Sequence, residues 1–230
     1  MPKLILLRHG ESQWNLENRF TGWTNVDLTE NGQKEAKKAG FLLKNEKINI
    51  SKVYVSLLKR AVKTSKICLE HLGCENLKIE YHWRLNERHY GNLQGLNKTQ
   101  TAKKYGDDQV LIWRRSYDTP PPKISKNDKR HPIHDPLYKD IDRNLLPSSE
   151  SLKDTLERVK PLWLDHIMPN LKIGKNVLIV AHGNSIRAIV KILKNLSNED
   201  IIYLNIPTGS PYVFNFSENF NLINDFYIKK

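Results

Sequence analysis

The sequence predicts an α/β fold of three layers, with a mostly parallel central sheet flanked by helices. Three observations lead there. Strand-like and helix-like segments alternate along the chain, as they do when helices cross over between parallel strands. Two short apolar runs, Leu4-Ile5-Leu6-Leu7 and Val177-Leu178-Ile179-Val180-Ala181, lack polar alternation, which is the mark of a strand buried on both faces. Both runs lead into the same pair, His9-Gly10 and His182-Gly183. Open α/β sheets bind ligands beyond the carboxyl ends of their strands. If the two strands are neighbours, both histidines face one pocket.

The elements follow in order. The strand over residues 3–7 is succeeded by a polar loop through Asp27. Thr29 is an N-cap for a helix over about 30–45, whose Ala36, Ala39 and Leu43 share a face. Val53 to Ser56 reads as a strand, Lys59 to Leu72 as a helix ended by Gly73, and Lys78 to Tyr81 as a further strand. Residues 84–95 have no regular period, whereas 97–115 read as one helix. Residues 116–147 contain Pro120-Pro121-Pro122 and many charges. A loop of that length in a compact chain suggests a lid-like insertion. Ser151, with Asp154 three residues on, caps a helix carrying Leu152, Leu156, Val159 and Trp163. Ile186, Ile189, Val190 and Leu193 form the inner face of the helix after the second His-Gly pair. Residues 211–216 and 225–228 read as closing strands.

With 230 residues, no linker and no repeat, one domain over 1–230 is expected, the insertion at 116–147 included. No apolar stretch approaches the roughly 18 residues of a membrane span, and Met1-Pro2-Lys3 starts no signal-peptide pattern. A cytoplasmic protein with no membrane partner is expected. Cys68 and Cys74 have no metal-ligand spacing, nor have His71, His82, His131, His134 and His166. Free thiols and no metal follow. Lys and Arg number 37 against 25 Asp and Glu, for a net charge of +12. The basic residues are scattered and accompany no zinc-finger or RNA-binding signature. The charge is read as a basic solvated surface that attracts small anions, with no nucleic acid partner.

Residues 8–15, Arg-His-Gly-Glu-Ser-Gln-Trp-Asn, resemble the signature of the histidine phosphatase superfamily. The extension through Ser12, Trp14 and Asn15 into Arg19-Phe20-Thr21-Gly22-Trp23 is similar to its cofactor-dependent phosphoglycerate mutase branch. The resemblance continues in Leu85 to Gly91, Leu93 to Lys98, Trp113-Arg114-Arg115, Ala181 to Ser185 and Asn205 to Gly209, and so covers almost the whole chain. It implies a phosphoglycerate mutase-like fold, phosphoglycerates as substrates, 2,3-bisphosphoglycerate as priming phosphoryl donor, and a homodimer or homotetramer. It implies His9 as the phosphorylated nucleophile and Glu87 as general acid/base. Arg88, Tyr90, Lys98, Arg114 and Arg115 would hold the glycerate carboxylate and second phosphate. Ser12, Thr21 and Gly22 would line the pocket, and Gly10, Glu11 and His89 belong to the same matching segments and are counted among the binding residues. Many relatives carry a flexible tail beyond the point where this chain stops, at Lys230. The segment 116–147 is therefore expected to close the site, with some phosphatase leakage.

The chemistry agrees with those positions. A neutral imidazole nitrogen can attack phosphorus and divide one transfer into two. The moving phosphoryl group carries negative charge, so positioning and electrostatic stabilisation dominate. Arg8, Arg60 and His182 are the natural clamp, arginine being suited by its planar fork. Asn15 and the amides of Gly183 and Asn184 add neutral donors where a helix begins. A bisphosphoglycerate synthase, a broad phosphatase and an inert binding protein on the same fold are the rivals. Ser12, Gly22, the paired arginines and an intact His9, Arg8, Arg60, Glu87 and His182 weigh against them.

Overall fold

In a computed structural model the described residues are 1–229. Six strands form one sheet, in the order β3-β2-β4-β1-β5-β6. The strands are β1 (Lys3–Arg8), β2 (Lys52–Val55), β3 (Ile79–Tyr81), β4 (Val177–Ala181), β5 (Tyr212–Phe216) and β6 (Leu222–Tyr227). The first four run parallel, while β5 and β6 are antiparallel additions beside β1. Alternate residues of β1 serve opposite faces, as the strand period requires. Ile5 and Leu7 pack with Ala39 and Leu43 of α2 (Glu30–Asn45) and Ala61 and Cys68 of α3 (Lys59–Leu72). Leu4 and Leu6 pack with Val159 and Leu162 of α6 (Leu152–Leu162) and Ile186 and Ile189 of α8 (Gly183–Lys194). This is the expected three-layer arrangement. Each fully buried Leu or Ile of β1 contributes about 1.5–3 kcal/mol, enough to hold the central strands rigidly under the site.

The helices begin and end where local chemistry allows. The Thr29 side chain accepts from the Gly32 amide, and Ser151 and Asp154 form a reciprocal capping box. Gly73 closes α3 in the left-handed region, at φ 81°. Gly106, at φ 88°, divides the helix expected over 97–115 into α4 (Lys98–Tyr105) and α5 (Asp107–Arg115). A short α1 (Gln13–Leu16) lies in the loop after β1. A π turn over Trp163–Ile167 leads from α6 into α7 (Met168–Lys172), and α9 (Asp200–Tyr203) precedes β5. Residues 84–95 are organised by 3₁₀ turns at Trp83–Leu85 and Gly91–Leu93.

The 116–147 segment packs against the body of the protein. It makes three 3₁₀ turns, Pro132–His134, Pro136–Tyr138 and Arg143–Leu145. It buries Ile124, Tyr138 and Leu146, the last two in a cluster with Trp23. The Ile124 amide donates to Ser148 O, and the Arg130 guanidinium to Gln94 O and Asn92 Oδ1. Among the described residues no helix is long and apolar enough to cross a membrane, and no group of three or more His, Cys, Asp or Glu stands ready for a metal ion.

Candidate active site

The sheet register brings the two His-Gly pairs together. β1 and β4 are parallel neighbours with Arg8 opposite Ala181, and the His9 amide donates to Ala181 O at 3.0 Å. The next residue of each strand is the histidine, and the two rings lie 4.9 Å apart between centroids. β2 ends beside them, its following residue Ser56 donating its amide to Val180 O. Three strand ends thus converge at the edge where the strand order reverses direction, the place at which open α/β sheets hold ligands.

His9 is 2% exposed and fixed at both nitrogens. Nδ1 is 2.7 Å from Gly10 O. A carbonyl only accepts, so Nδ1 carries the proton and Nε2 keeps its lone pair. Arg60 Nε donates to that lone pair at 3.2 Å. The remaining Arg60 nitrogens donate to Thr24 O and Gly22 O, both at 2.9 Å, which aims the guanidinium at the ring. Burial, then the charges of Arg60 and Arg8, hold the His9 pKa well below 6.5. The imidazole is therefore neutral at neutral pH, the form a nucleophile needs. Burial likewise lowers Arg60, to about 10, still fully charged.

The adjoining cavity is lined by Arg8, Asn15, Thr21, Gly22, Glu87, Tyr90, Lys98, Arg114, Arg115, Gly183 and Asn184, all expected, together with Arg19, Phe20, Arg187, Asn205 and Ile206, while His9, Arg60 and His182 lie behind this lining. Six cations and one carboxylate line it. Such an excess of like charge around one cavity is costly unless an anion neutralises it. Burial lowers the pKa values of Lys98 and Arg115, with Arg114 adding to the effect on both. Buried guanidinium nitrogens of Arg8 (Nε), Arg88 (Nε and Nη1) and Arg187 (Nε) have no partner among the described residues. Buried donors are rarely left so, and phosphate or carboxylate oxygens would satisfy them. The cavity thus has the charge and the spare donors to hold a bisphosphate.

Glu87 reaches the cavity from the loop after β3. Its Oε1 accepts from the Arg88 amide at 2.8 Å and the Asn184 amide at 3.0 Å. Its carbonyl accepts from Trp23 Nε1 and from Arg158 Nη2. Arg158 is itself held by Glu150 in a buried ion pair, with Nε 2.5 Å from Oε1. This layer behind Glu87 had no sequence signal, since Trp23, Glu150 and Arg158 each lie tens of residues from Glu87 along the chain.

Several expected binding residues lie elsewhere. His89 is fully buried edge-on against Trp23, with Nδ1 accepting from the Gly91 amide, and does not line the cavity. Ser12 is the buried N-cap of α1, sharing a reciprocal capping box with Asn15. Gly10 is required for packing: a Cβ there would come within 2.1 Å of Gly32 O. Glu11 accepts from Thr29 Oγ1 at the start of α2. Arg88 stands behind the lining, with Nη2 donating to Tyr90 Oη and Arg114 O. The 116–147 segment does not line the cavity either; the chain leaves the rim immediately after Arg115.

Arg187 was missed by sequence reasoning. It is 4% exposed, donates to Asn184 Oδ1 at 2.9 Å and Ile201 O at 2.6 Å, and has its pKa lowered to about 10 by burial, then by Arg88 and Arg115. The available signal was a lone arginine inside the apolar run Ile186 to Val190.

Residues 4–228 match the histidine phosphatase superfamily (branch 1). The chain is 55% identical over 228 residues to a 2,3-bisphosphoglycerate-dependent phosphoglycerate mutase of Porphyromonas gingivalis, and 56% identical to one of Bacteroides fragilis. Each alignment covers 99% of this chain and 92% of the relative. Among solved structures, a mycobacterial glucosyl-3-phosphoglycerate phosphatase with VO3 superposes with a TM-score of 0.71 at 24% identity, over 94% of this chain and 93% of that one. Bacillus stearothermophilus YhfR superposes with a TM-score of 0.71 at 22% identity, over 97% of this chain and 95% of that one, so that both share the fold. With its two histidines at adjacent strand ends and its near full-length relatives, the chain belongs to the histidine phosphatase superfamily and, within it, to the family of 2,3-bisphosphoglycerate-dependent phosphoglycerate mutases.

Proposed function

We propose that this protein interconverts 3-phosphoglycerate and 2-phosphoglycerate by way of a phosphoryl group carried on His9. The observation that carries the reading is the His9 ring. Its Nδ1 is tied to Gly10 O and its neutral Nε2 meets Arg60, which is held in turn by Gly22 of the adjoining cavity, and that cavity carries six cations and one carboxylate. 2,3-Bisphosphoglycerate supplies the phosphoryl group that primes His9, and Arg8, Lys98, Arg114, Arg115 and Arg187 are the side chains suited to hold it.

The chain's own residues divide the work. With a phosphoryl group on Nε2, Arg8, Arg60 and His182 surround its equatorial oxygens, and Asn15 with the Gly183 and Asn184 amides adds neutral donors. Glu87 accepts the proton of the substrate hydroxyl as that oxygen takes the phosphoryl group, and returns it when the other phosphoryl group passes back to His9. The Arg88 and Asn184 amides hold Oε1, so Oε2 is the oxygen left for the proton. Lys98, Arg114, Arg115 and Arg187 hold the carboxylate and the phosphate not in transit, and Tyr90 supports them through Arg88. The positive charge on these side chains makes activity independent of added metal, so excess EDTA leaves the rate unchanged. Such an enzyme acts on free metabolites in the cytoplasm.

Incubation with 3-phosphoglycerate, with and without 2,3-bisphosphoglycerate, tests the reading. The expected result is 2-phosphoglycerate formation that the bisphosphate stimulates and that outpaces phosphate release. Phosphate as the main product would make the protein a phosphatase on the same fold.

A further inference from the structure

His182 is the end of a buried hydrogen-bond chain that begins in the 116–147 segment. Tyr138 Oη is 2.9 Å from Asn86 Nδ2, Asn86 Oδ1 is 2.8 Å from Ser56 Oγ, and Ser56 Oγ is 2.8 Å from His182 Nε2. Asn86, Ser56 and His182 are fully buried, and Tyr138 is 2% exposed.

The proton positions follow from which groups can donate. The Leu57 amide donates to Asn86 Oδ1 at 3.1 Å, so the amide cannot be turned over without setting two donors face to face. Oδ1 is then an acceptor toward Ser56, and the Ser56 hydroxyl proton must point to it. Ser56 Oγ is left with lone pairs only. One accepts from the Leu58 amide at 3.2 Å, and the other faces His182 Nε2, which must carry a proton. The other ring nitrogen, Nδ1, is buried over the first turn of α8 beside the Ser185 amide, without a hydrogen bond of ordinary geometry among the described residues.

We propose that Tyr138, Asn86 and Ser56 are positioning residues that commit His182 Nε2 to Ser56, leaving Nδ1 alone to face the phosphoryl group. The inference rests on the reading of His182 as a phosphoryl contact. A phosphoryl oxygen accepts hydrogen bonds, so Nδ1 engages it only when a proton lies between them. The charged and titratable groups facing the ring are Arg60 of α3, His9 and Arg8 at the end of β1, Arg158 of α6, and Glu87, which accepts from the neighbouring Asn184 amide. Burial, then Arg60, His9 and Arg8, keep the ring neutral in the free protein. An arriving anion opposes those cations and brings the doubly protonated ring within reach. The 116–147 segment thus acts on the site from beneath, through Tyr138, where a lid would act from above.

The test is the tautomer of His182 in the ¹⁵N-labelled, ligand-free protein, read from long-range ¹H–¹⁵N correlations. The expected result is a neutral ring with a protonated Nε2 and a bare Nδ1. Ser56→Ala removes the acceptor and should give mixed tautomers. It should also lower kcat by about 10–100-fold, the effect of one to two unmet buried hydrogen-bonding groups, with little change in KM. Asn86→Asp keeps the acceptor and adds negative charge, which raises the His182 pKa and moves the alkaline limb of the kcat profile to higher pH. A purely structural role would leave tautomer and limb in place. A proton on Nδ1 in the free wild type, or an unchanged tautomer in Ser56→Ala, overturns the proposal. The wild-type spectrum decides even if the variants fail to fold. Absence of 2-phosphoglycerate formation would overturn the reaction and leave the tautomer assignment standing.

Discussion

The floor and the rim of the cavity are built on different physics. The floor consists of the strand-end residues His9 and His182 and of Arg60 from α3, locked by backbone carbonyls and by Ser56, and each fully or almost fully buried. The rim consists of side chains from α4, α5 and α8, where Lys98, Arg114, Arg115 and Arg187 crowd together. Arg60, the cation of the floor, is satisfied before ligand arrives, whereas rim cations repel one another until it does. A rigid floor suits bond making, which needs reacting groups held in one geometry. A charged rim suits capture, since its repulsion is relieved by a multiply charged anion. The contrast predicts that floor changes act on turnover and rim changes on affinity.

The largest effect should come from His9→Ala, which removes the nucleophile. A loss on the order of 10⁴-fold or more is expected, with the fold intact. Brief exposure of wild type to labelled bisphosphate should give an acid-labile, alkali-stable label. The His9→Ala variant should take up none, and label on a serine would reject the mechanism.

Glu87→Gln should come next, with about 10²–10⁴-fold lost from kcat. The amide can still accept from Arg88 and Asn184, so binding should hold. An unchanged kcat with a raised KM would move Glu87 from the floor's work to the rim's.

At the rim, Arg187→Met should raise KM by about 10–100-fold, the worth of one charge-assisted hydrogen bond, and change kcat little. Removing a buried cation that has no carboxylate partner should also leave stability equal or higher. A fall in kcat comparable with that of Glu87→Gln would erase the distinction between the two regions.

The smallest effect concerns pH. His9 and His182 both have pKa values held well below 6.5, by burial first and then by Arg60. The folded protein therefore binds fewer protons than the unfolded chain once pH drops below about 6.5. Stability is full above that pH and falls below it, by up to about 1.4 kcal/mol per pH unit for each histidine. Urea unfolding at several pH values reads the slope. His182→Gln should reduce it, and an unchanged slope would mean the loss arises elsewhere.

The periodic elements were legible because their information is local. Thr29, Gly73 and the Ser151–Asp154 box mark helix ends within a few residues, and unbroken apolar runs mark strands buried on both sides. Gly106 separates α4 from α5, and the helix-forming residues on both sides of it hide that break in the sequence. The reactive residues were legible too, since Arg8, His9 and Asn15 sit in one short segment and His182 repeats the His-Gly ending. His89, Ser12, Gly10 and Glu11, expected among the binding residues, lie outside the cavity lining. Residue type and neighbourhood indicate what a group can do; they do not indicate which way it faces.

By itself the sequence determined the layer order, the two histidines and the cationic character of the site, because hydrophobic period, capping and residue chemistry act over a few positions. The tertiary structure alone decided that Arg187 joins the rim, that Trp23, Arg158 and Glu150 stand behind Glu87, and that Tyr138 reaches His182 through Asn86 and Ser56. Those contacts join residues tens of positions apart. They exist only because parallel strands place distant chain segments at one edge, where each buried donor must find an acceptor.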